Sequence, residues 1–246
     1  MALTRILSRL VYPPRQPDVH HPPSAGELDA WVGAAETPYF QQLDDAFVGR
    51  ALGLGVTSGM VLDLDSPLGL VALKILWKEE GFLSIGVYRS LDMAERARQT
   101  AEVWDLGDRM FFQVGEPSGL RFKTGYFDLV VSDGALHYAQ HPEELLAEIG
   151  RVTKPSGAIL LGQRARPGRL RMAGVLSGGG RFCQGALGRR FEATVRAGYT
   201  RSELAECVAA AGLDRARVVA DGERLFIERR GADDPSSWVV EREKYL

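Results

Sequence analysis

At 246 residues the chain has room for one sizeable α/β domain with short extensions, and two full domains would be cramped. A hydrophobic share of 45% and a charged share of 25% exclude a disordered polymer, and 30 basic against 32 acidic side chains, net −2, give no overall field that would draw nucleic acid. The two cysteines, Cys183 and Cys207, lack the spacing and partner histidines of a zinc site, and no apolar run nears the ~18 residues that span a bilayer, so a soluble, cytoplasmic protein without a bound metal is expected.

The first eleven residues set Arg5 and Arg9 among Leu3, Ile6, Leu7, Leu10 and Val11, with no acid before Asp18. That weakly amphipathic, basic pattern suits a short helix docked on the body. The alternative is a surface helix making peripheral membrane contact or directing the chain to an organelle. Residues 12–25 carry five prolines and predict an extended linker, so 1–25 is read as an extension, 26–232 as the domain and 233–246 as a tail. Helices are expected near 25–33 and 38–54, the second placing Phe40, Leu43, Phe47 and Ala51 on one face.

From there strand-like and helix-like patterns alternate. Strands are expected at 60–64, 83–88, 110–114, 127–132 and 158–162, and helices at 68–80, 91–104 and 142–152. A helix at 201–211 then leads into 216–220, the turn Asp221-Gly222 and 223–229, which reads as a β-hairpin. The fold class is therefore α/β, a doubly wound, mostly parallel seven-stranded sheet with one antiparallel strand. Between the fifth strand and the last helix lies 163–198, rich in Arg and Gly. It holds Arg164, Arg166, Arg169, Arg171, Arg181, Arg189, Arg190 and Arg196 against the single acid Glu192, and the run Gly178-Gly179-Gly180 would hinge such a segment as a lid.

An open parallel sheet binds ligands beyond the carboxyl ends of its strands, where strand order reverses. Four loops occupy that place: Asp63-Leu64-Asp65-Ser66-Pro67-Leu68-Gly69, Tyr88-Arg89-Ser90, Val114-Gly115-Glu116-Pro117, and Ser132-Asp133-Gly134-Ala135-Leu136-His137-Tyr138. The fourth continues into a helix and the string Arg151-Val152-Thr153-Lys154-Pro155-Ser156-Gly157.

Taken together, 60–229 resembles a class I S-adenosylmethionine-dependent methyltransferase of the type 11, ubiquinone-biosynthesis-like, small-molecule branch. The fourth loop and the string after it carry the resemblance most specifically. The first loop departs from the family, because Asp65 and Pro67 stand where its first two glycines usually are and only Gly69 remains. Tyr88 likewise stands where the family has an acid for the cofactor's ribose hydroxyls, and a phenol cannot chelate two hydroxyls as a carboxylate does. Glu116 matches the acid that meets the adenine amino group.

The resemblance implies S-adenosylmethionine as cofactor, held by Asp63, Asp65, Gly69, Tyr88, Glu116, Pro117 and Ser132. It implies His137 as a general base oriented by Asp133, and a small-molecule acceptor, which the arginine-rich 163–198 would suit to an anion. Aromatic platforms are too sparse there for nucleic-acid reading. The alternative reading is a binding or scaffold protein of this fold that has lost the cofactor and works through a protein partner, and the pair of departures at Asp65/Pro67 and Tyr88 is what would separate the two.

Overall fold

The computed structural model describes residues 10–18, 22–179 and 185–231. Most of the amino-terminal amphipathic stretch, His20 and His21, Cys183, Gly180 of the triglycine hinge and the tail 233–246 lie outside the described residues.

Strands β1 (Gly59–Leu64), β2 (Phe82–Tyr88), β3 (Met110–Val114), β4 (Phe127–Asp133), β5 (Thr153–Arg164), β6 (Arg217–Asp221) and β7 (Arg224–Arg229) form one sheet in the order β3-β2-β1-β4-β5-β7-β6. Pairing is parallel up to β5, and β7 enters antiparallel to both β5 and β6. Strand order thus reverses between β1 and β4, which fixes the crevice at their carboxyl ends.

Helices α1 (Ala25–Ala35), α2 (Pro38–Leu52), α3 (Leu70–Lys78) and α4 (Leu91–Val103) cover one face, with Phe47, Val48, Leu73 and Ile75 packed on Val61, Leu129, Val131 and Leu160. Helices α5 (Pro142–Val152) and α8 (Arg201–Ala210) cover the other, where Leu146, Ile149 and Leu204 meet Leu62, Val130 and Ile159. Neighbours along a strand serve opposite layers, so the middles of β1 (Met60–Leu62) and β4 (Leu129–Val131) are apolar on both faces, and each such side chain fully buried adds about 1.5–3 kcal/mol.

The arginine-rich segment is two helices, α6 (Arg169–Gly179) and α7 (Gly185–Ala197), and much of its charge is spent internally. Arg166 is buried and pairs with Glu203, Arg164 pairs with Glu223 at 2.7 Å, and Arg196 pairs with Glu192 at 2.7 Å. No described helix is long and apolar enough to cross a membrane.

The proline-rich linker expected before the domain is a packed strap over residues 14–18. Prolines cannot donate, so the work falls to the residues between them. The backbone N–H of Gln16 donates to the Arg196 carbonyl, and that of Asp18 to His137, both at 3.1 Å. Arg15 donates to the carbonyls of Ala197, Leu136, His137 and Ala139 while its guanidinium lies 4.1 Å over the Tyr199 ring. The strap therefore ties the loop after β4 to the carboxyl end of α7.

Candidate active site

The loop after β1 keeps the turn expected of it with unexpected residues. Asp65 and Leu68 take left-handed backbone at φ 62° and 61°, and Gly69 follows at 67°. A Cβ on Gly69 would also lie 2.8 Å from the Met110 methyl, so glycine is required here on two counts. The sequence predicts helix from residue 68; α3 starts at Leu70 instead, after a single 3-10 turn over Pro67–Gly69. Asp63 is fully buried under this turn, and burial pushes its carboxyl up to about 8, with the charge of Asp65 adding.

Tyr88 does not face the crevice. Its ring folds back along β2 into the layer under α3 and α4, fully buried, with its hydroxyl beside Gly69, and a Cβ on Gly86 would lie 2.6 Å from its Cε2. The ring thus lies in the core and not among the residues lining the crevice, because glycine two residues earlier on the same strand face makes room for it. The residue that reaches the crevice is Arg89, which the sequence reading passed over. Arg89 Nε lies 3.4 Å from Asp65 Oδ2 and 3.8 Å from Glu116 Oε2, and the guanidinium stands 5.0 Å over the Tyr138 ring.

Tyr138 accepts a hydrogen bond from Arg190 at 3.1 Å, and Arg190 lies 3.8 Å from Asp18 of the strap and 3.6 Å from Glu27 of α1. A chain of alternating charge and ring thus crosses the carboxyl ends of β1, β2 and β4. Beside it lies a polar cavity of about 350 Å³ lined by Arg89, Glu116, Pro117, Ser118, Tyr138 and His141, with Asp18 at its edge.

Ser132 serves the fold. Its hydroxyl donates to the Leu64 carbonyl at 2.8 Å and accepts from the Ala135 N–H at 3.3 Å, clamping β1 to β4 at the switch point. The pair expected to supply base chemistry is also committed. Asp133 pairs with Arg224 and not with His137. His137 is buried, accepts at Nε2 from the Arg164 N–H at 3.3 Å, and burial, helped by the charges of Arg15 and Arg224, pushes it down to about 3. A neutral imidazole engaged in this way holds β5 against the loop after β4, and His137 and Asp133 are not brought together as the expected pair.

A second cavity, about 680 Å³ and mostly apolar, lies between α1–α2 and α6–α7. Trp31, Tyr39, Phe40 and Leu43 form one wall, Leu187 and Phe191 the other, and Arg164, Arg171, Arg190 and Glu223 line it too. Arg190 joins the two cavities, since it lines the apolar one and bonds Tyr138 of the polar one.

Comparison with known proteins agrees with this architecture. Residues 64–161 match a family described as a methyltransferase domain. Norajmaline N-methyltransferase of Rauvolfia serpentina is 27% identical over 101 residues, 41% of this chain and 34% of that protein, so the match spans about a third of the relative's length. Among solved structures, an O-methyltransferase family protein from Burkholderia thailandensis superposes with a TM-score of 0.62 at 22% identity, over 83% of this chain and 59% of that one. The YcgJ protein of Bacillus subtilis superposes with a TM-score of 0.55 at 20% identity, over 71% and 70%. At such identities the structural likeness speaks for the fold.

S-adenosylmethionine is the cofactor that this family and fold imply, and the residues at the switch point accommodate it unevenly. The left-handed turn at 65–69 and the side chain of Glu116, 72% exposed at the polar cavity, suit the loop and adenine ends. At the ribose end no carboxylate follows the family's pattern, and Arg89 is the polar side chain available.

Proposed function

We propose that this chain, whose residues 64–161 match a methyltransferase domain family within a class I methyltransferase fold, is an S-adenosylmethionine-dependent methyltransferase acting on a small-molecule acceptor. The observation that carries the reading is the adjacency of the two cavities. A polar one sits at the β1/β4 switch point and an apolar one beside it, linked by Arg190, which lines the apolar one and donates to Tyr138 of the polar one.

In this reading Glu116 meets the adenine, Arg89 stands at the ribose, and the turn 65–69 carries the remainder. Bound there, the cofactor supplies a sulfonium methyl as electrophile. The chain's own contribution is placement and exclusion of water. The strap, held by Arg15 and Asp18, roofs the loop after β4, and α6 and α7 cover the acceptor side.

His137 and Asp133 are each engaged by another residue, so in this reading the chain serves methyl transfer by placement and not by a side-chain base. The guanidiniums of Arg164 and Arg171 against Glu223 favour an anionic acceptor. Calorimetric titration with S-adenosylmethionine and S-adenosylhomocysteine tests the reading. Saturable binding with a Kd below about 1 mM, some 4 kcal/mol, is expected; no heat and no thermal shift would overturn it.

A further inference from the structure

The apolar cavity has two aromatic walls and a defined charge balance. On one side Trp31 and Tyr39 each meet Phe40 edge to face, with ring centroids 5.8 and 5.3 Å apart. On the other, the Arg164 guanidinium lies 4.8 Å over the Phe191 ring.

Arg190 is answered outside the cavity, by Asp18 and Glu27. Arg164 and Arg171 share Glu223, at 2.7 and 3.9 Å, and Arg171 is 76% exposed. Two cations against one carboxylate leave the lining one positive charge in excess.

A wholly apolar ligand would leave that charge without a counterpart, and a small polar anion would leave the aromatic walls in water. A flat ring system bearing a single negative charge meets both demands, by stacking and edge contacts on one hand and by a charge-assisted hydrogen bond to a guanidinium on the other. A cavity of about 680 Å³ is of a size for such a molecule. We infer that the acceptor is an aromatic monoanion, such as an aromatic carboxylate, held between Phe40 and Phe191 with its charge on the Arg164–Arg171 pair.

The inference rests on the methyltransferase reading for the word acceptor, while the binding itself can be measured without cofactor. The full chain is titrated with 2-naphthoate, the neutral 2-naphthamide and the non-aromatic cyclohexanecarboxylate. Saturable binding of 2-naphthoate is expected, with each of the other two at least tenfold weaker. Arg171→Gln, at an exposed position, should weaken 2-naphthoate severalfold and leave 2-naphthamide unchanged, and Phe191→Leu should weaken both aromatic probes.

Equal affinity for naphthoate and naphthamide, indifference to Arg171→Gln, or absence of naphthoate binding at millimolar concentration would each overturn the inference. Titration of the same preparation with S-adenosylmethionine separates the two failures. Cofactor binding without naphthoate binding sinks the aromatic monoanion alone, whereas naphthoate binding without cofactor binding sinks the methyltransferase reading and leaves an aromatic-anion site.

Discussion

Arg15 and His137 stand 122 residues apart in the chain, and the guanidinium of the first donates to the backbone carbonyl of the second at 3.1 Å. The same guanidinium reaches Leu136 and Ala139, so one side chain of the strap gathers the carbonyls of the short turn between β4 and α5.

Replacing Arg15 with Ala removes charge-assisted bonds from partly buried carbonyls and should cost about 1.5–3 kcal/mol. The check is a urea unfolding midpoint together with amide exchange of residues 134–139, which should quicken. An unchanged midpoint with unchanged exchange would mean that the strap rests on the body without holding it.

Tyr88→Phe separates a core residue from a cofactor contact. Among the described residues the buried Tyr88 hydroxyl has no hydrogen-bond partner, so its removal should raise stability by about 1 kcal/mol and leave S-adenosylmethionine affinity unaltered. A tenfold loss of affinity would return the hydroxyl to the cofactor site.

Two buried groups shape the pH profile in opposite directions. Asp63, pushed up to about 8, keeps in the folded state a proton that the unfolded chain gives up near pH ~3.9, so its contribution falls as pH rises from about 4 to 8. His137, pushed down to about 3, refuses a proton that the unfolded chain accepts near pH ~6.5, so its contribution is lost as pH falls from about 6.5 to 3. Between about 4 and 6.5 the two slopes cancel, and above 6.5 Asp63 alone acts. Urea midpoints should therefore be lower at pH 8 than at pH 6, and Asp63→Asn should flatten that difference; a decline that persists in the variant would assign it to other groups.

Arg151 anchors the loop that carries Glu116. Its guanidinium donates to the carbonyls of Phe122 and Leu120 at 2.8 and 2.9 Å and to both oxygens of Glu148. Arg151→Met should weaken S-adenosylhomocysteine binding by about 1 kcal/mol, a factor of about five, through a loosened 115–126 loop. Lower thermal stability at unchanged affinity would show that this tie serves the fold and not the ligand.

Much of the architecture was legible from period and punctuation. The doubly wound sheet followed from apolar runs alternating with helical faces, and the terminal hairpin from Asp221-Gly222, which turns β6 into β7. The misreadings have local causes. Proline-rich residues 14–18 looked like a linker because a chain poor in donors rarely packs; here the Arg15 side chain and the N–H groups of Gln16 and Asp18 supply the donors.

The fifth strand was expected only from 158 because Pro155 and Gly157 punctuate the residues before it. The strand begins at Thr153 through an irregular register opposite Phe127 and Leu129. At the site, the position of Asp63, Glu116 and the loop after β4 could be read from the strand ends. The direction of Tyr88 and the commitment of His137 could not, since the first needs Gly69 of another loop as well as Gly86 of its own strand, and the second needs Arg164.

A ribosome delivers β6 before β7, yet β7 lies between β5 and β6 in the finished sheet. Until residues 224–229 emerge, β5 keeps a row of unsatisfied backbone groups along one side, flanked by Ile159 and Leu161, and β6 has no neighbour to join. The nascent domain thus stays adhesive until those 6 residues arrive, and a polypeptide stalled or clipped at the Asp221-Gly222 turn would offer β5 as a template for aggregation with other chains.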